Sequence, residues 1–154
     1  MLTPDSWTIL PDDRPRVAIA ILYQGDRFLM QLRDDIPGIV YPGHWGLFGG
    51  HLEPGETIDI AMQRELLEEI GYNPPQLNPF GCYSDTHVIR YVYQGVLTVT
   101  LEELVLKEGW DMDWLTVDDI VQGKHYSERA NQVRPLGKPH QQILLEFIAK
   151  QNKS

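Results

Sequence analysis

The chain has 154 residues, 42% of them hydrophobic and 23% charged, a composition that supports one folded domain and excludes a disordered polyelectrolyte. Its 22 Asp and Glu against 13 Lys and Arg leave a formal charge of −9. That excludes a protein held on nucleic acid or anionic lipid by charge alone, but not one that binds an anion through a cation. The single cysteine, Cys82, excludes an internal disulfide, suits a reducing cytoplasm and reads as a small buried hydrophobe. No apolar run reaches the ~18 residues of a membrane span, and the N-terminus lacks the basic and apolar regions of a signal peptide.

Residues 1–15, with Pro4, Pro11 and Pro15, read as an extended lead-in. Residues 17–23 form a continuous apolar run, the pattern of a buried strand, and a turn at 24–26 leads to a second strand at 27–33. Pro37, Gly38, Pro42 and Gly43 make 34–44 a loop. A brief strand at 45–48 runs into a glycine turn built from Gly49, Gly50, Pro54 and Gly55. The strongest helix spans 57–70, stopped by Gly71 and followed by Pro74 and Pro75. Residues 80–93 read as strand, 96–106 as ambiguous, 110–115 as strand and 117–122 as a short helix ending at Gly123. A C-terminal helix over 139–150 has Pro in its first turn and an apolar stripe of Ile143, Leu144, Phe147 and Ile148. Interspersed strands and helices with no linker predict a single mixed α/β domain, one sheet with helices on its faces.

The chemistry concentrates on the 57–70 helix. At ~100° per residue, with Glu65 at zero, Glu69 falls near 40° and Glu68 near −60°. Met62, Leu66, Ile70, Leu67 and Ile60 are expected on the opposite side, against the sheet. Three carboxylates in one arc repel by a few tenths of a kcal/mol per pair. Arg64 relieves part of this, and a hard divalent cation, Mg2+ or Mn2+, relieves it better. Glycine turns entering a helix also commonly sit beside phosphates.

The segment reads Gly50-x5-Glu56-x7-Arg64-Glu65-Leu66-x-Glu68-Glu69-x-Gly71-Tyr72. It resembles the signature of the Nudix hydrolase family. Chance agreement at seven specified positions is on the order of one in 10⁸ starting points. One departure is Tyr72, where the family usually has an aliphatic residue; a second is Phe48, where Phe48-Gly49-Gly50 resembles the usual Pro-Gly-Gly. The stretch 107–114 with Asp118-Asp119-Ile120 resembles the family's distal segment, so the similarity covers about residues 16–120. It implies an α/β/α sandwich with a mixed sheet and the catalytic loop and helix on one side.

The resemblance further implies metal-dependent hydrolysis of the pyrophosphate link of a nucleoside diphosphate joined to another moiety, by water attack on phosphorus. Glu65, Glu68, Glu69, the Gly49 carbonyl and Glu108 become the candidate ligands of Mg2+ or Mn2+. Glu68 or Glu108 is the general base, with Glu102 and Glu103 as outsiders. Arg64 orients the carboxylates and Glu56 is its partner. Arg33, Gly50 and His51 are candidate substrate contacts, and Trp45, Tyr83, Trp110 and Tyr126 candidates for stacking on a base. Val88 stands where an ADP-ribose-cleaving member has Pro, and Tyr91 is out of register for a dinucleoside-polyphosphate member. No base-reading Asn of the oxidised-nucleotide branch aligns in 122–126. The favoured substrate is a nucleoside triphosphate, oxidised or not; the alternatives are a nucleotide sugar or a module on the same fold that binds nucleotides without cleaving them. An isoprenoid isomerase, which needs a Cys/Glu pair, fits poorly. The expected protein is a cytoplasmic monomer or homodimer with a small nucleotide as its partner and neither nucleic acid nor membrane.

Overall fold

Strand β1 (Arg16–Gln24) is the apolar run at 17–23, and the computed structural model, which describes Trp7 and residues 12–152, buries it on both faces. Ala18, Ile19, Ala20, Ile21 and Leu22 are all buried, at roughly 1.5–3 kcal/mol for each large aliphatic side chain. The lead-in prolines Pro4 and Pro11 lie outside the described residues. The chain forms two compact units, each assembled from separated stretches: residues up to 23 with 48–107, and residues 24–47 with 108 onward.

In the first unit, β1 pairs antiparallel with β4 (Phe48–His51) and parallel with β6 (Ile89–Val96), and β6 pairs antiparallel with β5 (Asn78–Ser84). The sheet is therefore mixed, as the α/β expectation requires. Helix α1 (Ile58–Ile70) packs against β4. A short 3₁₀ turn at Leu101–Glu103 resolves the ambiguous stretch after β6. Gly49 and Gly50 depart from the expected turn. They lie inside β4, opposite Ile19 and Ala18, and the turn proper is displaced to 53–56, closed by the Glu56 N–H donating to the Glu53 carbonyl at 3.0 Å. Cys82 also departs from expectation: it lies opposite Tyr91 at an exposed position of β5.

In the second unit, β2 (Arg27–Leu32) pairs with β3 (Trp45–Gly46) on one side and β7 (Asp111–Thr116) on the other. Helix α2 (Val117–Gln122) has a capping box between Thr116 and Asp119 and ends on left-handed Gly123. A hairpin the sequence did not announce follows, β8 (Lys124–Ser127) with β9 (Gln132–Pro135). Helix α3 (Lys138–Gln151) buries Ile143, Leu144 and Phe147, and the Phe147 ring meets Phe28 edge-on at 6.1 Å. Ile148 of the expected stripe is only half-buried. No described helix is long and apolar enough to cross a membrane.

Candidate active site

Helix α1 forms where its ends are chemically defined. The Thr57 hydroxyl accepts the Ile60 N–H at 3.2 Å, and Gly71 takes the left-handed conformation that lets its own N–H return to the Leu67 carbonyl. Lys107 serves the same C-terminus from outside: its N–H bonds the Glu69 carbonyl at 2.8 Å and its Nζ the Leu67 carbonyl at 3.4 Å. A cation there complements the helix dipole.

The helix is rotated relative to the expectation. Leu67 and Ile60 are exposed, at 45% and 53%, while Glu69 is buried at 3%. The buried face runs through Ile58, Met62, Glu69, Leu66 and Ile70, so the acidic arc does not oppose the core but straddles its edge. Glu69 points inward, Glu65 is half-buried and Glu68 is exposed. Two polar anchors set this rotation. Glu69 Oε2 accepts the Gly49 N–H at 3.0 Å. In the first turn, buried Asp59 accepts the Tyr93 hydroxyl, which accepts the Trp7 indole N–H at 2.7 Å. Burial, then the bond to Asp59, raises the Tyr93 pKa well above that of free tyrosine. Nothing in the sequence singled out Asp59 or Tyr93; an acid in a helix's first turn reads as dipole compensation.

Arg64 organises the carboxylates. Its Nε and one terminal nitrogen grip Glu56 as a fork, at 2.6 and 2.9 Å. Its Nη1 donates to Glu65 at 3.0 Å and Glu68 at 3.1 Å, its Nη2 to the His51 carbonyl at 3.1 Å, and Glu53 stands 3.5 Å from Nε. The fork lowers the Glu56 pKa and raises that of Arg64, so both stay ionised. The Glu56 partnership implied by the family resemblance is thus present in the geometry. These five glutamates (Glu53, Glu56, Glu65, Glu68 and Glu69) with the one guanidinium sum to a formal charge of −4, and Asp59 brings the stretch 53–69 to −5.

The glycines supply close approach. A Cβ at Gly49 (φ +147°) would lie 2.0 Å from the Ala18 carbonyl oxygen, and one at Gly50 would lie 2.5 Å from Glu65 Oε1. Gly50 is therefore a floor for Glu65. The His51 side chain is exposed; what the site uses is its carbonyl. Tyr72, the departure from the signature, is buried, and its hydroxyl pairs with Thr98 Oγ1 at 2.9 Å and accepts the Thr98 N–H at 3.1 Å. It packs and does not reach the carboxylates.

The remaining candidates belong to the second unit or fall away. Glu108 is exposed on the segment before β7, and Arg33 donates from Nε to the Val40 carbonyl at 2.7 Å, closing the loop after β2. Trp45 is fully buried in β3, so it is not a surface for a base. Tyr83 and Trp110 are half-buried, and Tyr126 is exposed with its hydroxyl on Asn131. Among the described residues, no three Asp, Glu, His or Cys side chains converge to hold an ion. The reason is local: Glu65 and Glu68 turn to Arg64, and Glu69 turns to the Gly49 N–H. The donor set itself, several carboxylates beside a backbone carbonyl, suits a hard divalent cation.

The NUDIX domain family model matches residues 13–136, farther toward the C-terminus than the similarity read from the sequence. The nucleoside triphosphatase NudI of Escherichia coli O1:K1 is 43% identical, the match covering 73% of this chain and 88% of NudI. Among solved structures, MutT of Methanosarcina mazei Go1 superposes with a TM-score of 0.65 at 21% identity, covering 94% of this chain and all of that one. The NUDIX domain of Shewanella oneidensis NrtR, solved with ADP ribose, gives 0.67 at 17%, covering 99% and 94%. These last two establish the fold. The chain belongs to the Nudix hydrolase family. It is a pyrophosphohydrolase of the class that works with divalent metal ions.

Proposed function

We propose that this enzyme hydrolyses nucleoside triphosphates, using Mg2+ or Mn2+ held by Glu65, Glu68, Glu69 and the Gly49 carbonyl. The observation that carries the reading is the gathering of Glu53, Glu56, Glu65 and Glu68 around Arg64, with Glu69 buried on the same helix. The 43% identity to NudI, a nucleoside triphosphatase by name, supports the substrate class. Bound divalent ions would neutralise the phosphate charge, which is most of what phosphoryl transfer asks of a protein. The chain's own residues do the rest. Glu68, exposed and tied by a single bond to Arg64, takes the proton as water oxygen bonds phosphorus and the phosphorus–bridging-oxygen bond breaks. Arg64 holds Glu65 and Glu68 against their mutual repulsion and is itself aimed by Glu56. The family resemblance adds Glu108 to this proposed set as a further ligand or base and Arg33 as a phosphate contact. Gly50 and His51 line the substrate's approach.

The test is a panel of nucleoside triphosphates and nucleotide sugars assayed for released phosphate with and without added pyrophosphatase. A triphosphate substrate gives signal only when pyrophosphatase is present. Glu69→Gln should lower kcat by about 10²-fold or more, the scale on which misplaced catalytic groups act. Wild-type turnover in Glu69→Gln refutes the ligand assignment.

A further inference from the structure

The last thirty residues take no part in the reading above, yet the structure ties their helix to the strand that leads into the catalytic glycines. Leu136 bridges Trp45 in parallel, and the Gly137 N–H donates to the Trp45 carbonyl at 2.9 Å. In the first turn of α3, His140 lays its ring within van der Waals contact of where a Cβ would stand on Gly46 and on Gly137, 3.5 and 3.6 Å away. Its Nδ1 accepts the Leu47 N–H at 2.9 Å.

Leu47 is where the extended chain breaks between β3 and β4. It is 4% exposed, and a buried N–H outside a ladder is costly to leave unpaired. The His140 ring fills that need. From Leu47 the chain passes through one fully buried residue, Phe48, to Gly49, whose N–H holds Glu69. Peptide units are planar and Phe48 is locked in the core, so a shift of the Leu47 peptide passes along the chain to the Gly49 peptide. Accepting at Nδ1 requires that this nitrogen carry no proton, so the ring is neutral with its proton on Nε2.

We infer that His140 is a positioning residue for hydrolysis: through the Leu47 amide it fixes the peptide that aims Glu69. This rests on the site reading proposed above for Gly49 and Glu69. It gives the C-terminal helix a role in turnover and predicts an effect on kcat, not on nucleotide affinity.

The experiment compares wild type, His140→Leu, His140→Asn and Glu69→Gln on one nucleoside triphosphate with saturating Mg2+, and records the ring ¹⁵N shifts of His140 in the wild type. Leu keeps the bulk and removes the acceptor. Asn places its Oδ1 close to where Nδ1 stood. The expected result is a kcat about tenfold lower in His140→Leu with KM within about twofold, recovery to within about threefold in His140→Asn, and an unprotonated Nδ1. The inference is overturned by an Nδ1–H ring, by wild-type kcat in His140→Leu while Glu69→Gln is inactive, or by loss that Asn does not restore. Full activity in Glu69→Gln overturns it differently, by removing the site it is built on. If His140→Leu does not fold, the ring spectrum and the Asn variant still decide it.

Discussion

Gly50→Ala separates the catalytic geometry from the fold. Gly50 sits in β4 opposite Ala18 without the left-handed backbone of its neighbour, so the strand itself tolerates an alanine. The new Cβ would lie 2.5 Å from Glu65 Oε1, 2.6 Å from its Cδ and 2.8 Å from Oε2. The carboxylate must retreat by roughly 1 Å to reach ordinary contact distance, which breaks its 3.0 Å bond to Arg64. With Glu65 and Arg64 side chains 14% and 21% exposed, that bond is worth about 1–2 kcal/mol. At about 2–4 °C per kcal/mol for this chain length, Tm falls by a few degrees. Turnover suffers more, because a misplacement of about 1 Å at a catalytic group costs about 10²-fold. Gly49→Ala is the control. Its Cβ would meet the Ala18 carbonyl at 2.0 Å and Ile19 Cα at 2.7 Å, and the central strand cannot yield, so this variant loses folded protein at a cost above about 3 kcal/mol. Differential scanning fluorimetry and pyrophosphatase-coupled phosphate release read the two effects. A Gly50→Ala protein with lowered Tm and wild-type kcat refutes a catalytic role for Glu65, and one unchanged in both refutes the packing.

Three further outcomes follow from individual contacts. Arg64→Lys replaces a guanidinium that serves Glu56, Glu65, Glu68 and the His51 carbonyl with one ammonium, so kcat should drop by about tenfold or more even at high Mg2+; retained kcat would show that the fork is dispensable. Tyr72→Phe removes its bonds to exposed Thr98, which water replaces in part, and should cost about 0.5–1.5 kcal/mol in urea unfolding with kcat unchanged; a kcat change would contradict its purely packing role. His125 faces Asp113 at 2.8 Å and Asp119 at 2.9 Å through its two ring nitrogens. Burial pushes its pKa down, but the bond to Asp113 and the charges of both aspartates outweigh that and raise it above 6.5. A group raised on folding stabilises fully below its unfolded pKa and loses that contribution as pH rises through its folded value. The stability advantage of wild type over His125→Asn should therefore be largest near about pH 6 and shrink on the alkaline side, and an advantage that grows with pH would reverse the assignment.

The elements legible in the sequence are those whose ends are chemically specified within a few residues. Thr57 and Gly71 bound α1, Thr116 and Gly123 bound α2, and Pro139 opens α3. The β8–β9 hairpin was invisible because its stabilisation is remote. Lys124–Ser127 and Gln132–Pro135 carry almost no apolar alternation, and the turn depends on Ser127 Oγ, which donates to buried Asp111 and accepts the Ala130 N–H. Strand β4 was masked for a related reason: Gly49 and Gly50 are poor strand formers, and only their pairing with β1 makes them extended. For α1, periodicity fixed the angles between carboxylates but not which of them faces inward. That choice belongs to Asp59 with Tyr93 and to Glu69 with Gly49, contacts 34 and 20 residues apart in sequence.

The rotation of α1 bears on why an acidic protein can handle polyphosphates. A solvated acidic face would leave Glu65, Glu68 and Glu69 equally hydrated, with repulsion of a few tenths of a kcal/mol per pair and no demand for a counterion. The observed helix instead grades them from exposed Glu68 through half-buried Glu65 to buried Glu69, and one guanidinium is shared among four carboxylates. Desolvation makes the charge on Glu69 expensive, and the Gly49 N–H is one of the groups that offset that cost. A fold selected for stability alone would place an apolar residue on that buried face, alongside Met62, Leu66 and Ile70. The excess of −9 is therefore not spread evenly as surface charge. Part of it is gathered around Arg64 and graded down to buried Glu69, where desolvation raises the attraction for a divalent cation, and a cation bound there would present positive charge to a phosphate.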